Sequence, residues 1–596
     1  MARGKKSENS NGKIMATQQS VNQAVKGICD IMRRSNCQGA MQYVPELSWM
    51  LFLRILDDHE TREGEEMEAL GLEFCPSLAA PFRWQDWAAP YDETVKIFHD
   101  GGRKQGWKRK EKHADGSSGD FFRFVNGELL PYLKELESKP GASPRQKVIS
   151  EIISSVERSR IDTERNFCEI LDKVHGISVE SVDDTHVFTI SQVFEGLLLK
   201  MGEKGNDGGQ FFTPREVIRA MVQVIDPQVG DTVYDPGCGT GGFLAQSYEY
   251  MRAALGTETK AEQIDTLKHG TFFGREKDDV AYPIALANLV LHGIDQPNLW
   301  HGNTLTNEAV YDGLFVTAPA QFDVVLTNPP FGGKEGKAAQ TNFAYKTSAT
   351  QMLFLQHVID HLKDGGRCGI VMDEGVLFRT NETAFVQTKR KLLEENNLWC
   401  ILSLPGGVFT AAGAGVKTNL LFFKKGEHTE KIWYYDLSDI KVGKKTPMTL
   451  DKFEDFFRLL PTRGDSEQSW TIDMVARKQK ASEEAEPFKQ QASKKERAAA
   501  QWSDKAKELK KAKPTDDKAV AEALQKTTEL TKEAREQAAK AEEIENAVYD
   551  LKAVNPNAKA EEDKRTSEQL LDFIEAKGRE IAEALAVLRG NSGAEE

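Results

Sequence analysis

Asn328-Pro329-Pro330-Phe331 brings together residue types suited to a planar amine. Asn328 carries an amide whose oxygen can accept a hydrogen bond. Phe331 offers a flat apolar face. Pro329 and Pro330 have no N–H to donate and fix φ, so the turn is stiff and its carbonyls point in set directions. Acceptors beside a stacking ring suit a substrate with an exocyclic NH2. The apolar run 322–327 leads straight into this turn and reads as a buried strand that stops where a site begins.

A second constellation lies upstream. Thr232-Val233-Tyr234 reads as a short strand running into Asp235-Pro236-Gly237-Cys238-Gly239-Thr240-Gly241-Gly242, with a helix starting at Phe243. Strand, glycine turn and helix in this order belong to a doubly wound α/β sheet, whose ligands lie beyond the carboxyl ends of the strands. The spacing G-x-G-x-G-G is neither the dinucleotide fingerprint nor a phosphate loop, which argues against an ATP motor. Asp235 could take the ammonium of an amino-acid-like cofactor, although a tight structural turn alone would also use these glycines. Glu276, after a second strand 271–274, could accept hydrogen bonds from both ribose hydroxyls, or be an exposed charge. Asn303 marks a third strand end. Ahead of all these stands Gly208-Gly209-Gln210-Phe211-Phe212-Thr213-Pro214-Arg215. Here Thr213 is expected as the N-cap of a helix over about 216–225, with Pro214 at its first position and Glu216 at its third. Two glycines and two aromatics exceed what a cap requires.

The elements that position these motifs follow from pattern. The 596 residues are too many for one core. A basic, polar start (1–16) is expected to be disordered. A helical domain follows (17–200), with Val21, Val25, Ile28 and Met32 on one helix face and Trp49, Leu51, Leu53 and Leu56 on a second helix. The α/β domain occupies 201–480, with 399–404 and 418–424 as its closing strands. A charged helical tail (481–596) is punctuated by Pro487 and Pro514 and ends in an apolar stripe of Leu571, Ile574, Ile581, Leu585 and Leu588. That stripe is a partly coiled-coil seam which needs another helix, from a partner or from an internal hairpin with 520–549. Arg103-Lys104-Gln105-Gly106-Trp107-Lys108-Arg109-Lys110 could track a phosphate backbone or be a solvated loop. The loop 332–337 could close over a substrate or simply be mobile. A net charge of −14 argues mildly against a stand-alone nucleic-acid binder, but not against a local basic cleft. Seven scattered cysteines without a C-x-x-C pair suit a reduced cytoplasm without structural zinc. No apolar run reaches membrane length, and no signal segment is seen.

Taken in order, the motif 209–215, the motif 235–243 and Asn328-Pro329-Pro330-Phe331 resemble the S-adenosylmethionine-dependent DNA adenine-N6 methyltransferases, and among them the modification (M) subunits of type I restriction-modification systems. The resemblance covers about 15–480. It implies a Rossmann-like S-adenosylmethionine-dependent methyltransferase sheet with a helical N-terminal domain and a helical, partly coiled-coil C-terminal tail. By the same resemblance, Gln210, Phe211, Phe212, Thr213 and Pro214 line the cofactor from one side. Asp235, Gly237, Gly239, Thr240 and Gly241 line it from the other, Glu276 holds its ribose, and Asn303 stands where an aspartate is common. The target adenine is flipped out of double-stranded DNA and stacks on Phe331, while the Asn328 side chain and the Pro329 carbonyl accept its N6 hydrogens. No catalytic acid, base or metal is implied. Little globular sequence remains after the sheet, so target reading falls to a separate specificity (S) subunit. An M2S1 assembly is expected, with a restriction (R) subunit as an optional further member. An RNA or protein methyltransferase, a DNA-clamping scaffold without catalysis, and N4-cytosine as the target amine stay open at this point.

Overall fold

The computed structural model describes residues 18–35, 37, 40–97, 102–111, 120–154, 156–176, 213–255, 260–294, 296–306, 308–309, 318–409, 417–443, 446–511, 516–552, 554–557 and 566–591. The expected disordered start and the boundary near 200 lie outside these residues.

A small antiparallel hairpin, β1 (Asp92–Lys96) and β2 (Lys104–Gln105), sits within the N-terminal helical region. The main sheet contains β3 (Val233–Asp235), β4 (Phe272–Glu276), β5 (Asn298–Asn303), β6 (Glu308–Ala309) and β7 (Phe322–Thr327). It continues with β8 (Leu362–Asp373), β9 (Asn396–Ser403), β10 (Thr418–Lys425), β11 (Lys431–Asp436) and β12 (Ser469–Asp473). Their order across the sheet is β12-β11-β9-β10-β8-β7-β3-β4-β5-β6. β8, β7, β3, β4 and β5 are parallel neighbours, and β10 is antiparallel to both β8 and β9. From β3 the chain moves one way through β4 and β5, then returns to β3's other side as β7. That reversal opens a crevice beyond the carboxyl ends of β3 and β7.

The strands read as continuous apolar runs because both faces are covered. On one face lie the helices Arg215–Ile225, Gly242–Ala253 and Ala281–Leu291; on the other lie Thr350–His361 and Thr383–Glu395. The N-terminal helical region forms a third layer. It packs Trp49, Trp84, Trp87, Phe121 and Phe167 into its own core, and the helices Ala40–Ala69 and Pro144–Ile153 lie against Ala281–Leu291. Ala281–Leu291 is apolar nearly all round because it is covered on both sides.

Four features differ from expectation or decide between alternatives. First, β9 and β10 do not close the sheet. β11 and β12 extend it, as short runs set between polar turns that mask their pattern. Second, the basic segment is anchored rather than freely solvated. Trp107 Nε1 donates to buried Asp86 (3.0 Å), Arg103 lies 4.7 Å from the centre of the Trp107 ring, and Arg109 pairs with Asp172 at 2.7 Å. A ring engaged in this way is not a free stacking platform.

Third, loop 332–337 is pinned to 348–350. Glu335 N donates to Ser348 O (2.8 Å), Thr350 N donates to Gly333 O (3.2 Å), and the Thr350 hydroxyl donates to Glu335 (3.0 Å). Fourth, the helix Met474–Lys511 starts directly after β12, runs across residues 480 and 481 and through Pro487, and returns as Asp517–Asn546. The hairpin closes on Ala485, Ala492, Ala499 and Ala506 against Val520, Ala523, Ala534 and Ala541. Alanines at seven-residue steps give a narrow seam that hydropathy scarcely registers. The hairpin's base docks on helices that flank the sheet, where Leu551 N donates to Leu377 O (3.1 Å) and Arg390 Nε donates to the Tyr549 hydroxyl (3.1 Å).

The internal partner of 520–549 is therefore this alanine-lined helix and not the terminal stripe. On the terminal helix Ser567–Asn591, Leu571, Ile574 and Ile581 are 62%, 63% and 60% exposed. The side chains of Leu585 and Leu588 lie outside the described residues. No helix among the described residues is long and apolar enough to cross a membrane.

These packings predict opposite responses. Ala485→Asp buries a charge in the seam and should cost about 2–4 kcal/mol locally, seen as faster amide exchange across 474–546 with the sheet unchanged. Ile574→Gln on the exposed face should move the unfolding free energy by less than about 0.5 kcal/mol.

Candidate active site

β3 and β7 are adjacent and in register, Val233 with Val324 and Tyr234 with Val325. The glycine turn and the asparagine turn therefore leave the sheet side by side at the crevice.

Asp235 ends β3 and is 1% exposed. Burial pushes its carboxyl up to about 7; the Thr327 hydroxyl and the Gly237 N–H pull the other way, and the Glu276 charge adds to the rise. The Gly237 N–H donates to Asp235 Oδ1 at 3.2 Å. Gly239 (φ +54°) and Gly241 (φ +75°) take left-handed backbone, which a side chain would strain. A Cβ on Gly237 would meet the Phe354 ring at 3.4 Å, so the turn lies close against Thr350–His361. The Thr240 carbonyl accepts from Asn288 Nδ2 (2.9 Å), which fixes the turn to Ala281–Leu291.

Glu276 ends β4 and binds this turn. Its Oε2 accepts from Gly239 N (2.8 Å), and its Oε1 accepts from Lys277 N and Asp278 N (both 2.8 Å). Burial raises its carboxyl to about 7 against the pull of these three N–H donors. A carboxylate offers about four lone-pair sites, so roughly one is left for a ribose hydroxyl in this arrangement. Asn303 ends β5 and uses Oδ1 to accept from Leu305 N (2.9 Å), which leaves its Nδ2 as the group for a ligand.

The asparagine motif is held from two directions. Asn328 Nδ2 donates to Thr213 Oγ1 (3.0 Å), while Asn328 Oδ1 is buried without a partner among the described residues. Thr213 therefore does not cap the helix that follows. Pro214 is the residue before Arg215–Ile225, with no side-chain cap, and the Thr213 hydroxyl accepts from the asparagine. The Pro329 carbonyl accepts from Gln351 Nε2 at 3.4 Å. Pro330 is exposed, and half-buried Phe331 packs with buried Phe409 in a T-shaped pair (5.4 Å, 71°). Gln210, Phe211 and Phe212 lie outside the described residues, so of the first motif only Thr213 and Pro214 are seen at the site. Sequence reasoning missed Gln351 and Phe409. A glutamine in an otherwise apolar helix start was the one available signal for Gln351.

An unpartnered acceptor, a stacking ring and a glycine turn between two acidic strand ends suit S-adenosylmethionine and an amine. Fold and site together define an S-adenosylmethionine-dependent methyltransferase. The N-6 DNA Methylase family matches residues 185–496, and the HsdM N-terminal domain matches 21–166. The chain is 32% identical over 481 residues to the EcoEI methylase subunit of Escherichia coli, covering 77% of this chain and 89% of that one. It is 34% identical over 305 residues to the EcoKI methylase subunit of Escherichia coli, covering 48% and 55%. Among solved structures it resembles a modification subunit ascribed to a type I restriction enzyme of Vibrio vulnificus, with TM-score 0.62, 31% identity, and 78% and 93% of the two chains covered. It also resembles a chain from a structure of type I restriction-modification complex assembly, with TM-score 0.59, 32% identity, and 97% and 99% covered. The chain belongs to the N-6 DNA methylase family, as the methylase subunit of a type I restriction-modification system. Its activity is S-adenosylmethionine-dependent methylation of adenine N6 in DNA.

The raised carboxyl of Asp235 sets a pH dependence. The folded protein keeps a proton that the unfolded chain releases near pH 4. Stability is therefore lost as pH rises from about 4 to about 7, and is level above that. Without cofactor, Asp235→Asn should stabilise the protein by roughly 2–4 kcal/mol at pH 8 and little at pH 4, read from denaturant unfolding at both values.

Proposed function

We propose that the chain methylates an adenine flipped out of double-stranded DNA, inside a cytoplasmic M2S1 complex whose separate specificity subunit reads the sequence and to which a restriction subunit can be added. The observation that carries the reading of the site is Asn328: its amide nitrogen is held by Thr213 and its buried oxygen has no partner among the described residues. A buried orphan acceptor is costly unless a ligand satisfies it.

On this reading Gly237, Gly239, Thr240 and Gly241 lie against the amino-acid part of S-adenosylmethionine, with Asp235 toward its ammonium. Glu276 and Asn303 hold the nucleoside part, and Gln210, Phe211, Phe212, Thr213 and Pro214 close the other side. When bound, the cofactor supplies an electrophilic methyl group on a sulfonium. Asn328 Oδ1 and the Pro329 carbonyl each accept one N6–H of the adenine. That bonding draws the nitrogen lone pair out of conjugation with the ring and gives it a direction. Pro330 keeps the turn stiff, and Phe331 supplies a face for the base. Most of the rate then comes from positioning and fixed dipoles. The methylated nitrogen is acidic enough to lose its proton afterwards, so no side chain is assigned as base.

The partner reading is supported by the type I assembly structure that the chain resembles and by the uncovered stripe Leu571, Ile574 and Ile581. Co-expression with the neighbouring candidate specificity subunit, followed by sequencing of host DNA for modified bases, tests the whole. N6-methyladenine at a split, two-part motif is expected, and Asn328→Ala should abolish it. A mark made without the partner would sink the claim that recognition lies in another chain. No mark from either variant would favour an RNA, protein or scaffold role.

A further inference from the structure

The Pro329 carbonyl is placed by a side chain that the mechanism above leaves unused. β7 and β8 pair in parallel as far as Thr327 and Ile370. Beyond that point β7 continues as Asn328-Pro329-Pro330, and neither proline has an N–H with which to extend the ladder. β8 continues for three more residues, to Asp373. The Gln351 amide fills the interval. Its Nε2 donates to Pro329 O at 3.4 Å, and its Oε1 accepts from Asp373 N at 3.2 Å. Donor on one side and acceptor on the other, this side chain takes the part of a peptide group between two strands that can no longer pair.

Gln351 is 3% exposed and lies in the first turn of Thr350–His361. Its neighbour Thr350 holds the other end of the motif through the Gly333 carbonyl and Glu335. One helical turn thus grips the backbone on both sides of Pro330 and Phe331. A carbonyl oxygen has two lone pairs, and Gln351 occupies one. The other is left for a single N–H, which with Asn328 Oδ1 makes two acceptors for two amine hydrogens.

We propose that Gln351 is a positioning residue for methyl transfer, aiming the Pro329 carbonyl at the target amine by tying it to the end of β8. This rests on the reading of Asn328 and Pro329 as the two acceptors. The two hydrogen bonds of the Gln351 amide go to Pro329 O and Asp373 N and not to the glycine turn or Glu276, so its loss should act on the chemical step. The 3.4 Å separation is long, and bonds of this kind shorten when substrate fills a site.

The test uses the full chain with its specificity subunit and host DNA lacking the mark. Single-turnover methyl transfer is measured for Gln351→Glu, Gln351→Met and Asn328→Ala, and cofactor affinity by calorimetry. Gln351→Glu keeps the shape and the acceptor for Asp373 N but has no donor for Pro329 when ionised. Gln351→Met keeps only the shape. Both should transfer about 10- to 100-fold more slowly at pH 8, with cofactor and DNA affinity within about twofold of wild type.

Burial raises the affinity of a glutamic acid at 351 for a proton, and its O–H can then donate to Pro329. Relative to wild type, Gln351→Glu should therefore recover as pH falls from about 8.5 to about 6, while Gln351→Met should not. A purely structural role would not produce that recovery. Gln351→Glu at wild-type rate throughout, with Asn328→Ala inactive, would overturn this proposal and leave the site reading intact. Asn328→Ala at wild-type rate would overturn the site reading itself. Weakened cofactor binding with no recovery at low pH would make Gln351 a packing residue and overturn the proposal.

Discussion

Two backbone N–H groups that Pro329 and Pro330 lack set the arrangement around the site. Without them β7 cannot continue its ladder with β8 past Thr327, although β8 itself runs on to Asp373. The chain must leave the sheet at the point where β3, its other neighbour, also ends. A proline carbonyl is thereby released from backbone pairing where strand order reverses, beside an asparagine side-chain amide, and the fold supplies other holds for both. Thr213, 115 residues away, binds the amide nitrogen, and the turn starting at Thr350 binds the backbone on either side. A stiff turn with selected groups left unpaired is what a preorganised amine site needs.

Features that depend on neighbouring residues could be read directly. The strand into Asn328, the glycine turn after Tyr234 and the acidic end of β4 each follow from a few consecutive residue types, and all three are present. Features that depend on distant competition could not. Local rules make Thr213 a helix cap, because a hydroxyl before proline and glutamate usually bonds the helix. Asn328 takes that hydroxyl instead, through a contact that no local pattern reports. The same holds for Trp107 and Arg109, whose charged surroundings leave a nucleic-acid track and a solvated loop equally open until Asp86 and Asp172 are seen to engage them. The alanine seam escaped for another reason. Alanine carries little hydrophobic signal, and two helices that look polar all round can still close over it.

The three-layer arrangement ties the N-terminal region to the glycine turn of the sheet. Ala281–Leu291 lies between them, and its Asn288 reaches the Thr240 carbonyl of the glycine turn. The helices Ala40–Ala69 and Pro144–Ile153 pack on that same element. A displacement of the N-terminal layer would be felt at the turn through one helix, because close-packed interiors pass on small shifts. The tail is attached differently. Its hairpin springs from β12 and docks near Leu377 and Tyr434, on the half of the sheet away from β4 and β5. Helical additions at the two ends of the chain thus serve different parts of one sheet.

Charge gives the site a direction. Burial makes ionisation of Asp235 and of Glu276 less favourable than it would be in water, and the Glu276 charge adds to the cost for Asp235. A ligand carrying positive charge relieves that cost, and relieves more of it the more positive it is. On the proposed reading, S-adenosylmethionine has a sulfonium and an ammonium against one carboxylate. The thioether left after methyl transfer has lost the sulfonium charge. The acidic strand ends therefore favour the reactant cofactor over the spent one, with no change in the contacts to its nucleoside part.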